Sequence, residues 1–550
     1  MNQHASHLDT GGLSRRRLLQ SGAGLAAAAT LARVPGGVAA QATKGGSLVI
    51  GRAEDAQSLD PTQSGSFASG DSMALIYETL TALDMDGSVV PNLAESWQVS
   101  EDGKTYTFKL RQGITFHDGT ALDAAAVKAH FDRTIDPATG GRSASWIDQL
   151  QSTAVVDPQT VTMTLKNAWA PLLATLTVSA FGIPSPTAVQ AAGKDFGQKP
   201  VGSGPFQFKE WVPGDHITLV KNPNYQCFLP YVTNKGAPLL DEVVWRVIPE
   251  TQSQIAALEA GEVQLLNLAP QHVKDFVDRS GFVTYSKPNA GTLTNFVEFN
   301  FFKPPFDDVK VRQAMAHALD VDTIIATVIE GQAVRNQVFM PVGLPGWNEQ
   351  VGQQHGYPFD PDKAKALLEE AGWTGGGDVR QKDGQNLEIV MMTFSADPFA
   401  RVVEVMQGNA ADVGFKMSIQ TLEVGSELAT ISKEDNPTHL DLINWGWPTS
   451  NLLWMMTHSD QPLGRYHTTT QANAAQFETV ITQTLGELDD AKRADLYGQA
   501  EGLLLDDCAG VPLYSDIYTY ATPDKVKGFA LGPLNASYYG ILVLQDTYVE

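Results

Sequence analysis

Three tryptophans lie close together in the segment "INWGWPTSNLLW", which runs from residue 443 to residue 454. They are Trp445, Trp447 and Trp454. Tryptophan is large and is rarely buried completely, and its indole N–H needs an acceptor when it is buried. Such a cluster is typical either of a hydrophobic core or of an aromatic wall around a bound molecule.

The residues between the tryptophans predict different settings for them. Gly446 and Pro448 favour a loop, which would hold the first two indoles outside regular structure. Trp454 follows Leu452 and Leu453 on a predicted helix, where a core position is as good an interpretation as a binding site. The cluster therefore leaves both interpretations open until the rest of the chain is considered.

Motifs for enzymatic chemistry are missing from the sequence. It contains no G-x-S-x-G, no H-E-x-x-H, no phosphate-binding P-loop and no paired cysteine motif. His117 and Asp118 could form an acid–base pair, but with Gly119 they are typical of a turn after a strand. We expect a protein that is not an enzyme, and an exported hydrolase is the alternative from a different class.

Length and charge exclude further classes. The chain has 550 residues, 43% of them hydrophobic, so it can build several cores. Its net charge is −24, and the chain has no basic run outside its N-terminal segment. Both features argue against a nucleic-acid-binding protein. The two cysteines are Cys227 and Cys508, and the sequence leaves open whether they form a disulfide.

Residues 1–42 have the features of an export signal. Three arginines at positions 15–17 precede an Ala- and Gly-rich apolar stretch, as in a twin-arginine signal peptide. Ala40 and Ala42 fit a cleavage site, so we expect the mature chain to begin near Thr43, with its net charge changed from −24 to −27. A membrane anchor is the alternative, but the apolar run is shorter than the roughly 20 residues a span needs. Neither cysteine lies near this site to carry a lipid, which predicts a soluble periplasmic protein.

Strand and helix patterns alternate through the body of the chain. Tyr106, Phe108 and Leu110 alternate as in a half-buried strand, and Asp71 is predicted to cap a helix. Further strands are predicted at 48–50, 160–166 and 243–248, and residues 204–225 are predicted to form a hairpin-like strand pair around the turn at 213–215. Further helices are predicted at 122–135, 251–263, 307–320, 361–373 and 474–484. This alternation predicts α/β lobes.

Several ordered segments resemble the extracytoplasmic solute-binding proteins of family 5, the peptide/nickel/opine group of ABC-importer binding proteins. The most specific segment is "PNLAESWQVSEDGKTYTFKLRQGITFHDGTALDAAAVKAHFDR", and the others are "VGSGPFQF", "NPNY", "LDEVVWRVIPE", "FNFFKPPFDDVKVRQAMAHALD" and "PDKAKALLEEAGW". They follow the family's order and span nearly the whole mature chain.

The resemblance implies an α/β fold of the periplasmic-binding-protein type II kind, with two lobes, a hinge and an inserted extra domain. After the signal at 1–42, domain I would comprise 43–80, 197–290 and 515–550. Domain II would be 81–196, and domain III would be 291–514. Ligand would lie between the lobes.

The same resemblance implies which residues line the cleft. It favours Trp445, Gly446, Trp447, Thr449 and Asn451 from one lobe. The loop at positions 64–67, which contains Ser66 and Phe67, would line it from domain I. Peptide-binding relatives commonly carry an Asp soon after the tryptophan, as counter-ion to the α-amino group, and this chain has no acidic residue there. A buried ammonium without a carboxylate is costly, which disfavours a peptide held by its N-terminus in that way.

A second candidate segment is "GRYHTTT". Arg465 could bind a ligand carboxylate in a bidentate pair, or it could be a solvated surface charge. Tyr466 is a further candidate for ligand contact. His467 is a weak candidate for touching a metal complex, and a surface or hydrogen-bonding role is the alternative.

Together these observations predict a monomeric periplasmic subunit of an ABC importer, without a cofactor, that delivers its solute to an inner-membrane permease with ATPase subunits. The expected ligand is a peptide or peptide-like compound. An opine, a nickel complex or an oligosaccharide is the alternative.

Overall fold

Strands and helices alternate along the chain, so the predicted α/β class is confirmed. The computed structural model describes residues 45–63, 66–288, 293–375, 377–395, 397–431, 436–446, 449–461, 471–533 and 542–550. Residues Lys44–Glu550 form one compact unit.

The strands are β1 (Ser47–Arg52), β2 (Thr81–Leu83), β3 (Val89–Pro91), β4 (Ala94–Val99), β5 (Thr105–Leu110), β6 (Leu150–Asp157), β7 (Thr160–Leu165), β8 (Phe206–Val212), β9 (His216–Lys221), β10 (Glu242–Val247), β11 (Leu265–Asn267), β12 (Phe282–Pro288), β13 (Thr294–Phe299), β14 (Ala333–Arg335), β15 (Gln381–Lys382), β16 (Gln385–Asn386), β17 (Glu388–Phe394), β18 (Lys416–Leu422), β19 (Leu440–Trp445), β20 (Gly510–Pro523), β21 (Val526–Lys527), β22 (Ala530–Leu531), β23 (Leu542–Val543) and β24 (Tyr548–Val549).

The α-helices are α1 (Phe67–Ile76), α2 (Ala124–Ile135), α3 (Leu172–Thr175), α4 (Pro186–Ala192), α5 (Thr251–Glu259), α6 (Pro270–Phe276), α7 (Val309–Ala318), α8 (Val321–Thr327), α9 (Glu349–His355), α10 (Pro361–Glu370), α11 (Phe399–Asp412), α12 (Val424–Ile431), α13 (Leu452–Thr457), α14 (Ala474–Gly486) and α15 (Asp490–Asp506). Short 3₁₀ helices cover Arg142–Ile147, Ser179–Phe181 and Gly193–Gln198.

Local signals explain where several helices begin and end. The predicted cap at Asp71 is wrong, because Ser66 already caps α1 by accepting a hydrogen bond from the backbone N–H of Ser69. Asp71 therefore lies inside the helix. The predicted stop of α10 is confirmed, since the helix ends at Glu370 and Gly372 follows with a φ of +87°, a left-handed conformation that glycine adopts without strain.

The long strand β20 connects the two halves of the largest sheet. The order in this sheet is β18-β17-β19-β13-β20-β11-β1-β10-β9-β8, and β12 and β14 also pair with β20. Residues 510–516 of β20 pair with β13 and β14, whereas residues 517–523 pair with β12 and β11. We call the part with β1 and β8–β12 the first lobe, and the part with β13, β14 and β17–β19 the second lobe.

A separate antiparallel sheet, with the order β4-β5-β7-β6, lies in the chain between the first and second segments of the first lobe. Tyr106, Phe108 and Leu110 of β5 are buried, which confirms the predicted alternation. α2 covers this sheet and packs Val127 and Phe131 into the same core.

Each of these three parts has its own hydrophobic cluster. The first-lobe cluster includes Leu48, Phe206 and Trp245, the four-stranded sheet has the cluster around Phe108, and the second-lobe cluster includes Phe296. Cys508 is buried in the second-lobe cluster and Cys227 in a small separate one, and both are free thiols, so they do not form the disulfide that the sequence left open. In the described parts of the chain, no helix is both long and apolar enough to cross a bilayer.

Candidate functional site

The crossing point of β20 marks the junction between the lobes. Asp516 is the last residue of this strand that pairs with the second lobe, through Ala333 of β14. Ile517 is the first that pairs with the first lobe, through Pro288 of β12. β12 of the first lobe is followed along the chain by β13 of the second lobe. The start of β13 and the neighbouring end of β19 therefore lie on the side of the second lobe that faces the first lobe.

A row of polar and aromatic residues occupies those strand ends. Thr294 at the start of β13 pairs with Trp445 at the end of β19, and Asn295 pairs with Asn444. On its other side Asn295 pairs with Tyr514 of β20. A β-bulge follows directly between Asn295 and the next residue, and bulges commonly re-aim side chains at sheet edges.

Asn295 holds Asp516 at the junction. Its side-chain Nδ2 donates to Asp516 Oδ2 over 3.1 Å and to the carbonyl oxygen of Tyr514 over 3.3 Å. Asn295 is buried, whereas Asp516 is half-buried. Burial raises the pKa of Asp516 to about 6, while the hydrogen bond from Asn295 acts in the opposite direction. At neutral pH this carboxylate is therefore predominantly charged.

The first lobe contributes a second charged group near the junction. Arg52 at the end of β1 donates to the carbonyl oxygen of Ala68 over 2.8 Å and to Ser72 Oγ over 3.1 Å, which ties β1 to α1. Burial raises the pKa of Asp71 on α1 to about 7, although the positive charge of Arg52 acts to lower it. Burial and the negative charges of Asp516 and Asp71 together raise the pKa of Tyr518. The two carboxyl groups thus act on one tyrosine of β20.

The described part of the tryptophan segment borders this row. Trp445 is half-buried, and Gly446 is partly exposed. Thr449 and Asn451 are buried, and Thr449 Oγ1 and Asn451 Oδ1 have no hydrogen-bond partner among the described residues. Trp454 lies on α13, as predicted, and its ring stacks on His458 with 5.1 Å between centroids.

Other predicted site residues lie outside the described residues. These are Ser64, Gly65, Trp447, Arg465, Tyr466 and His467, together with the side chain of Phe67. Ser66 is described, and its side chain is engaged in capping α1. The structure thus places Trp445, Gly446, Thr449 and Asn451 near one another in the chain's second lobe, and their contact with a ligand stays a prediction.

The acid–base candidates serve local structure. His117 lies 3.0 Å, through Nε2, from the carbonyl oxygen of Gly204. Asp118 accepts hydrogen bonds from Thr120 Oγ1 and Ser185 Oγ, both over 2.6 Å. Within the described ranges, no group of three or more His, Cys, Asp or Glu side chains is arranged to hold a metal ion.

Asn295 and Asp516 were not among the residues predicted from the sequence. The signal that could have revealed Asp516 is its position within "LYSDIYTY", an aromatic and β-branched strand where an Asp is unexpected. Nothing in the sequence pairs it with Asn295, because the two are 221 residues apart.

Comparisons with known proteins identify the family and the fold of this chain. The family model described as "Bacterial extracellular solute-binding proteins, family 5 Middle" matches residues 88–462. The glutathione-binding protein GsiB of Pectobacterium atrosepticum is 28% identical over 484 residues, which cover 86% of this chain and 90% of GsiB. NikA from Brucella suis, solved with Fe(III)-EDTA, is 27% identical with a TM-score of 0.81, covering 92% of this chain and all of NikA.

A third similar protein is the ABC transporter-associated periplasmic binding protein DppA from Helicobacter pylori, solved with the peptide STSA. It is 25% identical with a TM-score of 0.74, and the match covers 92% of this chain and 99% of DppA. Fold and junction thus define a two-lobed binding protein of the periplasmic type. The chain belongs to family 5 of the bacterial extracellular solute-binding proteins, whose members bind solutes and serve ABC permeases.

Proposed function

We propose that this protein captures a peptide or peptide-like solute between its two lobes and delivers it to an inner-membrane ABC permease and its ATPase subunits. The observation that carries the proposal is the row of Trp445, Asn444, Asn295 and Asp516 at the point where β20 crosses between the lobes. Binding sites commonly combine aromatic walls with a few oriented polar groups. A ligand that touches both lobes favours the closed state by its higher affinity for that state.

We place peptide-like compounds first among the proposed ligands because of what two similar proteins bind. GsiB is a glutathione-binding protein, and DppA was solved with a peptide. NikA was solved with a metal chelate, which keeps a nickel complex among the alternatives with an opine or an oligosaccharide. The weak metal candidate His467 would belong to that alternative.

We further propose the predicted domain division, in which domain II (81–196) is inserted into domain I (43–80, 197–290 and 515–550) and domain III is 291–514. The three hydrophobic clusters support it, because each lies mainly within one of these domains. The crossing of β20 at residues 516–517 supports a hinge near residue 515.

The proposal includes export by the twin-arginine pathway, a monomeric periplasmic protein and no enzymatic activity. The arginines at positions 15–17 and the export-signal pattern that follows support the route. The structural use of His117 and Asp118 supports the lack of catalysis.

The test is native mass spectrometry of the purified full chain. We expect a co-purified mass that matches a peptide or an amino-acid conjugate. A sugar or a metal chelate would replace the proposed ligand class, and hydrolysis of candidate peptides or esters in a turnover assay would contradict the binding-protein role.

A further inference from the structure

Asp516 carries a charge that nothing described around it balances. Its side chain is half-buried, and among the described residues no Lys, Arg or His forms an ion pair with it. Asp60 and Asp55 are paired with Arg133 and Arg52. Glu298 and Asp441 also lack a cation in the described part of the chain, but they are buried in the core of the second lobe and not half-buried at the junction. An unpaired charge removed from water is costly, so its presence at a junction calls for a partner.

The cations on the neighbouring strands are already engaged. Arg335 of β14 donates to the carbonyl oxygens of Pro512 and Leu513, over 2.9 and 2.6 Å. Lys287 of β12 donates through Nζ to the carbonyl oxygens of Gly532 and Pro533, over 2.6 and 2.5 Å. Both cations are thus bound by backbone carbonyl oxygens, and neither forms an ion pair with Asp516.

We propose that Asp516, oriented by Asn295, is the counter-ion for a protonated amine of the bound solute. The inference rests on the proposed function and narrows its ligand class to peptides and amino-acid conjugates that keep a free amine. It also supplies, from β20 at the junction between the lobes, the carboxylate that is missing from the tryptophan loop.

The geometry suits this role. Asn295 donates to Oδ2, which leaves Oδ1 of Asp516 to accept a hydrogen bond from an ammonium group. A charge-assisted hydrogen bond in a partly desolvated site is stronger than a neutral one.

The experiment compares free and blocked amines by calorimetric titration. The probes are glutathione and the peptide STSA, each also in its N-acetylated form. The variant is Asp516→Asn, which keeps an oxygen that can accept from Asn295 but removes the charge. Asp516→Ser is a second variant in case the first folds poorly, and ligand-free melts check both.

The matched control is Asp507→Asn. Asp507 also pairs with an asparagine, since its Oδ1 accepts from Asn473 Nδ2 over 3.0 Å, but it precedes β20 and lies away from the junction. We expect the wild-type protein and this control to bind at least one free-amine probe about tenfold or more tightly than its acetylated form. The two Asp516 variants should lose that preference.

Each other outcome is decisive. Acetylated probes that bind the wild-type protein as well as the free ones, or Asp516 variants that keep the preference, overturn the counter-ion role and leave the proposed function standing. A wild-type protein that binds neither free-amine probe, with a co-purified solute that has no amine, overturns the inference and the peptide assignment together.

Discussion

Glu298 and Asp441 lie directly opposite each other on β13 and β19, and both carboxyl groups are buried in the second lobe. Burial and the neighbouring Asp441 raise the pKa of Glu298 well above its ordinary value. Burial raises the pKa of Asp441 to about 7, against hydrogen bonds from Thr438 and Asn436. Glu427 is a third buried carboxyl, with its pKa raised to about 8 by burial and by Asp441.

This pair predicts a pH-dependent stability. The folded protein holds protons on these carboxyls at pH values where the unfolded chain has released them, so their contribution to the free energy of unfolding falls as pH rises from about 5 to 8. Asp441→Asn replaces one of these titrating carboxyls with an amide. The amide oxygen can still accept the hydrogen bond that Thr438 Oγ1 donates to Asp441 Oδ1 over 2.8 Å in the wild-type protein. Over that pH range, we expect the free energy of unfolding to fall by on the order of 2 kcal/mol less in this variant than in the wild-type protein.

Urea denaturation at several pH values measures this difference. Asp123→Asn is the control, because Asp123 caps α2 and asparagine caps a helix equally well. The control should follow the wild-type pH profile, and parallel profiles for all three proteins would contradict the prediction.

A partly buried ion pair between Arg133 and Asp60 joins the first lobe to the helix that covers the four-stranded sheet. Arg133 of α2 donates through Nη1 to Asp60 Oδ1 over 2.9 Å and through Nη2 to Asp60 Oδ2. Burial alone would raise the pKa of Asp60, but the hydrogen bonds and charge of Arg133 outweigh it and lower the pKa. Arg133→Ala should therefore cost about 3 kcal/mol of unfolding free energy at pH 7.

The loss should shrink as pH falls through the folded-state pKa of Asp60, because protonation removes the stabilising charge. Lys128→Ala on the same helix is the control, since its pair with Asp132 is exposed and contributes at most about 0.5 kcal/mol. Equal losses for both variants at pH 7 would refute the prediction.

The tryptophans are predicted to divide between binding and stability. Trp447→Ala should weaken ligand binding at least about tenfold and lower the melting temperature of the ligand-free protein only slightly. Trp454→Ala should lower the melting temperature and leave affinity nearly unchanged, because its ring packs on the second-lobe core and on His458. Titration calorimetry and thermal melts on the same preparations test both. If Trp447→Ala binds normally but melts far lower, that residue belongs to the core.

Ligand is predicted to close the two lobes about the crossing of β20. Small-angle scattering should give a smaller radius of gyration at saturating ligand than in the ligand-free protein. An unchanged radius at saturation contradicts a hinged cleft, once a ligand-free sample has been checked by native mass spectrometry for retained solute.

Export is predicted to depend on the arginines at positions 15–17. Replacing all three with Lys should retain the precursor in the cytoplasm, because the twin-arginine signal is read as a pair of arginines. Cell fractionation with immunodetection measures the distribution. Normal periplasmic amounts of the Lys variant would rule out this route, and three positions are changed because the sequence does not identify the essential pair.

Local structure was largely predictable from the sequence, because it depends on neighbours in the chain. The alternation of Tyr106, Phe108 and Leu110 predicted β5, and the pattern from Pro361 to Gly372 predicted α10 and its end. The cap of α1 was misplaced because Ser66 and Asp71 both suit an N-cap, and only the helix itself selects between them. The ordered family segments identified the α/β binding-protein fold.

Only the tertiary structure decided which residues meet. The period-two pattern of a strand says which side chains share a face, but not which strand lies beside it. The order of strands in the large sheet brings Asn295 next to Asp516 and Glu298 opposite Asp441. These polar contacts join distant parts of the chain, so the sequence determined the elements and the family, while the packing of the sheet determined the charges at the junction and in the core.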